Sequence, residues 1–131
     1  MVIIDTTVWI DYLQGVSNKE TSYLDREVAR QRFGLTDLIF CEILQGINDE
    51  KLFKRVFQEL RKFELFETGG ADLAVESARN FRRLRQQGHT VRKTIDCLIA
   101  TFCLQHGHSL LHRDRDFDHF EVLLGLKVVH P

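Results

Sequence analysis

Val2-Ile3-Ile4-Asp5-Thr6-Thr7-Val8-Trp9-Ile10-Asp11-Tyr12-Leu13 starts with three apolar β-branched residues, meets an acid, and passes into a helical pattern. Such an opening run suits a strand buried on both faces of a parallel sheet. Asp5 ends the strand, and the hydroxyls of Thr6-Thr7 are placed to cap a helix that carries Val8, Trp9, Tyr12 and Leu13 and stops at Gly15. The stretch reads as strand, turn and helix, with a carboxylate at the carboxyl end of the strand.

The same alternation continues along the chain. A second helix is predicted over Glu20 to Gln31 and a brief strand at Phe33-Gly34-Leu35. Thr36 caps an apolar helix that ends at Gly46, and Asp49 to Lys62 places apolar residues three or four apart. Phe63 to Phe66 alternates as a strand, Gly69-Gly70 turns the chain, and Asp72 to Gln87 is amphipathic. Thr94 caps a helix closed by Gly107, and Ser109-Leu110-Leu111 and Lys127-Val128-Val129 read as strands. Strands alternating with helices across short connections predict an α/β fold, a mainly parallel sheet flanked by helices.

At 131 residues the expectation is a single domain over 1–131. The charge, 18 Lys+Arg against 19 Asp+Glu, excludes a bulk basic coat for nucleic acid. Three cysteines, Cys41, Cys97 and Cys103, form no CxxC pair and sit in apolar stretches, so they are expected as small hydrophobes in a reducing cytoplasm. No apolar run is long enough for a membrane helix, and no membrane association is expected.

Several acids stand where acids are costly. Asp5 and the run Arg113-Asp114-Arg115-Asp116 each follow a predicted strand, where ligands of open parallel sheets bind. Glu42 and Asp96 lie in otherwise apolar helices, where an ionised carboxylate needs a cation or a partner. Singly, each has an ordinary explanation: a turn, a helix-dipole complement, an unseen arginine. Together they are best explained by a hard-cation site, since carboxylate oxygens suit Mg²⁺ or Mn²⁺. His106, His108, His112 and His119 offer a competing zinc reading, but they match no HExxH or finger spacing. Nucleophile-elbow, dinucleotide and P-loop motifs are missing.

Magnesium held by few carboxylates typically works on phosphate. A polyanion needs a positioning surface, and Arg79, Arg82, Arg83, Arg85, Arg92 and Lys93 follow one another with no acid between them, ending three residues before Asp96. They are candidate RNA-binding residues; the alternative is an ordinary solvated helix face.

The blocks Met1 to Leu13, Leu35 to Ile47 (Leu-Thr-Asp-Leu-Ile-Phe-Cys-Glu-Ile-Leu-Gln-Gly-Ile), Thr94 to Ala100 (Thr-Ile-Asp-Cys-Leu-Ile-Ala) and Leu110 to Phe117 (Leu-Leu-His-Arg-Asp-Arg-Asp-Phe) resemble the successive blocks of PIN-domain ribonucleases, most closely VapC toxins of type II toxin–antitoxin modules. The resemblance implies the PIN-like α/β/α fold and a cluster of Asp5, Glu42, Asp96 and Asp114. Asp5, Asp96, Asp114 and the adjunct Asp116 would serve as metal ligands, supported by Thr7. Glu42 would ligate directly or orient the attacking water. His112 departs from the Thr or Ser often found at its position, and the doubled Asp leaves Asp114 or Asp116 as the fourth ligand. The resemblance further implies Mg²⁺-dependent (or Mn²⁺-dependent) endonucleolytic cleavage of structured RNA such as tRNA or rRNA, a VapB-like antitoxin and a homodimer. A non-toxic PIN nuclease of RNA maturation and a catalytically silent RNA-binding regulator are the alternatives.

Overall fold

The computed structural model describes residues 1–131. Five strands, β1 (Val2–Ile4), β2 (Phe33–Thr36), β3 (Glu64–Phe66), β4 (Ser109–Leu111) and β5 (Lys127–Val128), form one sheet in the order β3-β2-β1-β4-β5. Every pairing is parallel, with Val2 opposite Phe33 on one side and Ser109 on the other. The expected mainly parallel sheet is thus wholly parallel. The chain leaves β1 first towards β2 and later returns to its other side at β4, so a crevice opens beyond the carboxyl ends of β1 and β4.

Seven α-helices connect the strands: α1 (Thr6–Leu13), α2 (Lys19–Glu27), α3 (Asp37–Gln45), α4 (Glu50–Leu60), α5 (Ala71–Gln86), α6 (Thr94–His106) and α7 (Asp118–Leu124). Helix α1 packs against α2 and α3, and α5 against α6 and α7. Helix α6 is buried from Asp96 to Cys103 except at Leu98, as expected of a helix apolar on most sides. Ile3, Ile4, Leu35, Leu110 and Leu111 are fully buried, so the centre of the sheet forms the middle of the core. Gly34 is required there, because a Cβ at its position would lie 2.8 Å from the Glu64 carbonyl oxygen.

Local chemistry corrects four sequence expectations. Asp5, rather than Thr6 or Thr7, caps α1, its Oδ2 accepting from the Thr7 N–H. Helix α2, capped by an Asn18/Thr21 box, stops at Glu27 instead of Gln31, and the chain turns so that Phe33 can pair beside Val2. Lys93 holds the cap position of α6, with Thr94 as the first helical residue. A 3-10 turn (Arg115–Phe117) and α7 lie between β4 and β5, where no element was expected; Phe117 and Phe120 anchor them in the core.

Candidate metal centre

The acids gather beyond β1 and β4. Asp5, 3% exposed, must cap α1 directly after β1, and this duty carries its carboxylate into the crevice. Its Oδ2 accepts hydrogen bonds from the Thr7 N–H at 3.2 Å and the Thr7 hydroxyl at 2.7 Å. Burial nevertheless raises its pKa to about 6, with Glu42 adding repulsion. Asp96 sits in the first turn of α6, 5% exposed. Burial and then the charge of Asp5 push its pKa to about 7, with Asp114 and Glu42 contributing in the same direction and Lys93 opposing. Four carboxylates from four separate segments therefore feel one another.

The tightest group is Asp96, Asp114 and Asp116, each offering a carboxylate oxygen within 4.8 Å of the others. Asp114 caps the 3-10 turn, its Oδ1 accepting from the Asp116 N–H at 2.9 Å, so the turn that follows β4 aims both acids at Asp96. Glu42 stands less buried than its apolar helix suggested: it is half-exposed at the crevice edge, where it accepts a hydrogen bond from the Thr6 hydroxyl at 2.8 Å. That correction follows from α3 showing one face to α1 and another to solvent.

The donor set fits a hard divalent cation. All donors are carboxylate oxygens. Asp96 Oδ2 is buried without any hydrogen-bond partner, a costly state that a cation relieves. The histidines do not gather: His106 and His108 pack around Phe102, and His89 stacks on His119. His112 borders Asp114, its Nδ1 accepting from the Asp114 N–H at 3.1 Å, and burial lowers its pKa, while His89 and His119 lie on the Asp116 side. The zinc reading finds no cluster. Cys97 and Cys103 are buried, the latter with its thiol pushed up to about 12, whereas Cys41 is exposed, contrary to expectation.

The basic run divides. Lys93 Nζ lies 3.6 Å from Asp114 and Arg92 lies 3.8 Å from Asp116, so both belong to the acidic crevice. Arg79 and Arg83 turn to Glu76, just upstream of the acid-free stretch, and Arg85 lies over the Phe81 ring. Arg82 borders a shallow apolar groove between α5 and α6.

Thr7 was expected beside the metal ligands, whereas the holding roles of Arg113, Asp11 and Glu20 escaped the sequence reading. The Thr7 hydroxyl, besides donating to Asp5, accepts from the Arg113 N–H at 3.1 Å. The Arg113 guanidinium reaches Asp11 at 2.7 Å and Glu20 at 3.3 Å, tying the loop that carries Asp114 to α1 and α2. Asp11 stands in the opening block, but only the fold shows what it holds.

Comparison with known proteins bears on the family of the chain. The chain is 29% identical over 120 residues to Ribonuclease VapC11 of Mycobacterium tuberculosis and to VapC ribonuclease Mb1587 of Mycobacterium bovis, covering 90% of each chain. Among solved structures, VapBC2 of Rickettsia felis bound to a promoter DNA fragment superposes with a TM-score of 0.78 at 13% identity, covering 98% of both chains. FitAcB of Neisseria gonorrhoeae gives 0.77 at 19% identity, covering 100% of this chain and 98% of that one. These two likenesses concern the fold. The PIN domain family model matches residues 2–123, and with the VapC resemblance spanning nearly the whole length the chain belongs to the PIN-domain family.

Proposed function

We propose that this chain, a single PIN domain, is the toxin of a VapBC-type pair: an endoribonuclease that hydrolyses structured RNA such as tRNA or rRNA with Mg²⁺ or Mn²⁺. The observation that carries the reading is the convergence of Asp5, Glu42, Asp96 and Asp114, with the partnerless Asp96 Oδ2 among them. Asp5, Asp96 and Asp114 would hold the ion, with Asp116 beside them. When bound, such an ion would supply Lewis-acid polarisation of a phosphoryl oxygen and would lower the pKa of a water.

The chain's own groups do the rest. Thr7 fixes the Asp5 carboxylate by its 2.7 Å hydrogen bond, and Arg113 holds the Asp114 loop against α1. Glu42, anchored by Thr6 at the rim, is placed to orient a water and take its proton. Lys93 and Arg92 offset part of the crevice's negative charge and can shift to the phosphates of an incoming strand. Such a strand would be a loop of the RNA, whose bases can splay.

A VapB-like antitoxin would close the site, a cationic side chain entering among the carboxylates. No helix is long and apolar enough to cross a membrane, and the proposed setting is the cytoplasm, as a homodimer. Brief induction in cells followed by mapping of RNA 5′ ends tests the reading, with Asp5→Asn as control. New ends at few sites and arrested growth are expected for the wild type only. New ends without growth arrest would favour an RNA-maturation nuclease, and no new ends with retained RNA binding would favour a silent regulator.

A further inference from the structure

Beside the acidic crevice lies a small cavity of about 110 Å³, walled by His89, Thr90, Arg92, Arg115, Asp116 and His119. The imidazoles of His89 and His119 stack with centroids 3.8 Å apart and planes at 27°. His119 is exposed and His89 half-buried, so the pair presents His119 outward. Arg115 is exposed and forms no ion pair, while its neighbours Arg92 and Arg113 are both engaged. Asp116 belongs both to this wall and to the carboxylate triad.

We infer that this cavity is a nucleotide subsite for single-stranded RNA, in which one base stacks on His119 and the adjoining phosphate meets Arg115. This rests on the ribonuclease reading and adds where the strand lies next to the acids. An aromatic face beside a free guanidinium is the combination that grips single strands without reading sequence. The stacked partner His89 keeps the His119 ring in place before any ligand arrives, which reduces the ordering cost of binding. Because Asp116 is shared, the nucleotide in the cavity is an immediate neighbour of the phosphate at the carboxylates. A purely structural role for the pair, joining α7 to the loop before α6, predicts a stability effect and none on binding.

The test is fluorescence polarisation with a labelled single-stranded RNA hexanucleotide in which one abasic position is moved along the strand. It is run on the full chain carrying Asp5→Asn, with Mg²⁺ present, so that affinity is read apart from cleavage. His119→Ala should weaken binding by roughly 5- to 150-fold, the equivalent of about 1–3 kcal/mol for one stacked base. His119→Phe, which keeps an aromatic face, should retain most of the affinity. One abasic position should weaken binding to the His119-containing protein but not to His119→Ala. Arg115→Gln should lower the salt slope of log K by about 0.7, one phosphate contact on a single strand. Unchanged affinity in His119→Ala, or no abasic position that couples to it, overturns the subsite. Should the wild-type chain cut no RNA with any divalent ion, the ribonuclease reading falls on that separate measurement, while the polarisation series still decides the subsite.

Discussion

Replacing Asp96 by Asn removes a charge from the buried end of α6 while keeping the shape of the side chain. In the metal-free protein this should stabilise the fold. The Asp96 carboxyl titrates at about 7 instead of its ordinary 3.8, because it is buried beside Asp5, so its ionised form is held at a cost. A displacement of about three units corresponds to roughly 4 kcal/mol at 1.36 kcal/mol per unit. Water at the open edge of the crevice screens part of that, leaving about 2 kcal/mol. Urea unfolding at pH 8 in EDTA should therefore show Asp96→Asn more stable than wild type by about 2 kcal/mol, with a Tm higher by roughly 5–10 °C. Mg²⁺ should reverse the order, since an ion bound only by the folded state adds about 2.7 kcal/mol at a hundredfold excess over its Kd, and the Asn variant lacks the ligand. RNA cleavage should vanish in the variant that is more stable without metal. A variant less stable than wild type in EDTA, or one stabilised by Mg²⁺ as much as wild type, would refute the reasoning.

Titration gives a related result. Asp5 and Asp96 have folded-state pKa values raised to about 6 and about 7, so their neutral forms suit the metal-free fold, and the penalty grows as pH rises from about 3.8 through 7. The stability difference between wild type and Asp96→Asn in EDTA should hence widen from pH 5 to pH 8, and Mg²⁺ affinity measured calorimetrically should rise over the same interval with release of protons. Arg113→Ala cuts the guanidinium links to Asp11 and Glu20; unfolding should show a loss of about 1 kcal/mol, and single-turnover cleavage should slow as the Asp114 loop loosens. Gly34→Ala forces a Cβ to 2.8 Å from the Glu64 carbonyl and 3.0 Å from the Phe66 ring. It should lower stability by about 1–3 kcal/mol in denaturant titrations, with cleavage by the folded fraction unchanged.

The sheet was legible because its inner strands are short, mostly apolar and followed by acids or caps: Val2–Ile4, Phe33–Thr36 and Ser109–Leu111 carry their apolar residues in unbroken runs. The stretch from Arg115 to Leu124 was not legible. Its 3-10 turn and short helix are held by the burial of Phe117 and Phe120 against the rest of the protein, a tertiary effect that no local period displays. The end of α2 was misjudged for a similar reason, since Val28 to Gln31 would suit a helix if Phe33 had no sheet to enter.

At the site, the acids stood out because each interrupts an apolar segment. Their order of burial did not. Asp5 and Asp96 are buried while Glu42 lies at the rim, a distinction set by which side of α3 faces α1. The net charge of −1 concealed both the basic flanks and the carboxylate cluster. Arg113 looked like one charge in an alternating run, yet its contacts are with residues about a hundred positions away. Pairings of that kind depend on β4 lying beside β1, and only the assembled sheet reveals them.

On the proposed reading, the carboxylates beyond β1 and β4 cut RNA through a divalent ion. Its most direct test is the cleavage of total cellular RNA by the purified chain, wild type beside Asp5→Asn, in Mg²⁺, in Mn²⁺ and in excess EDTA. Discrete fragments are expected from the wild type with either ion, none in EDTA, and none from Asp5→Asn under any condition although that variant remains folded. Undiminished cleavage in EDTA, or by Asp5→Asn with Mg²⁺, would contradict that reading.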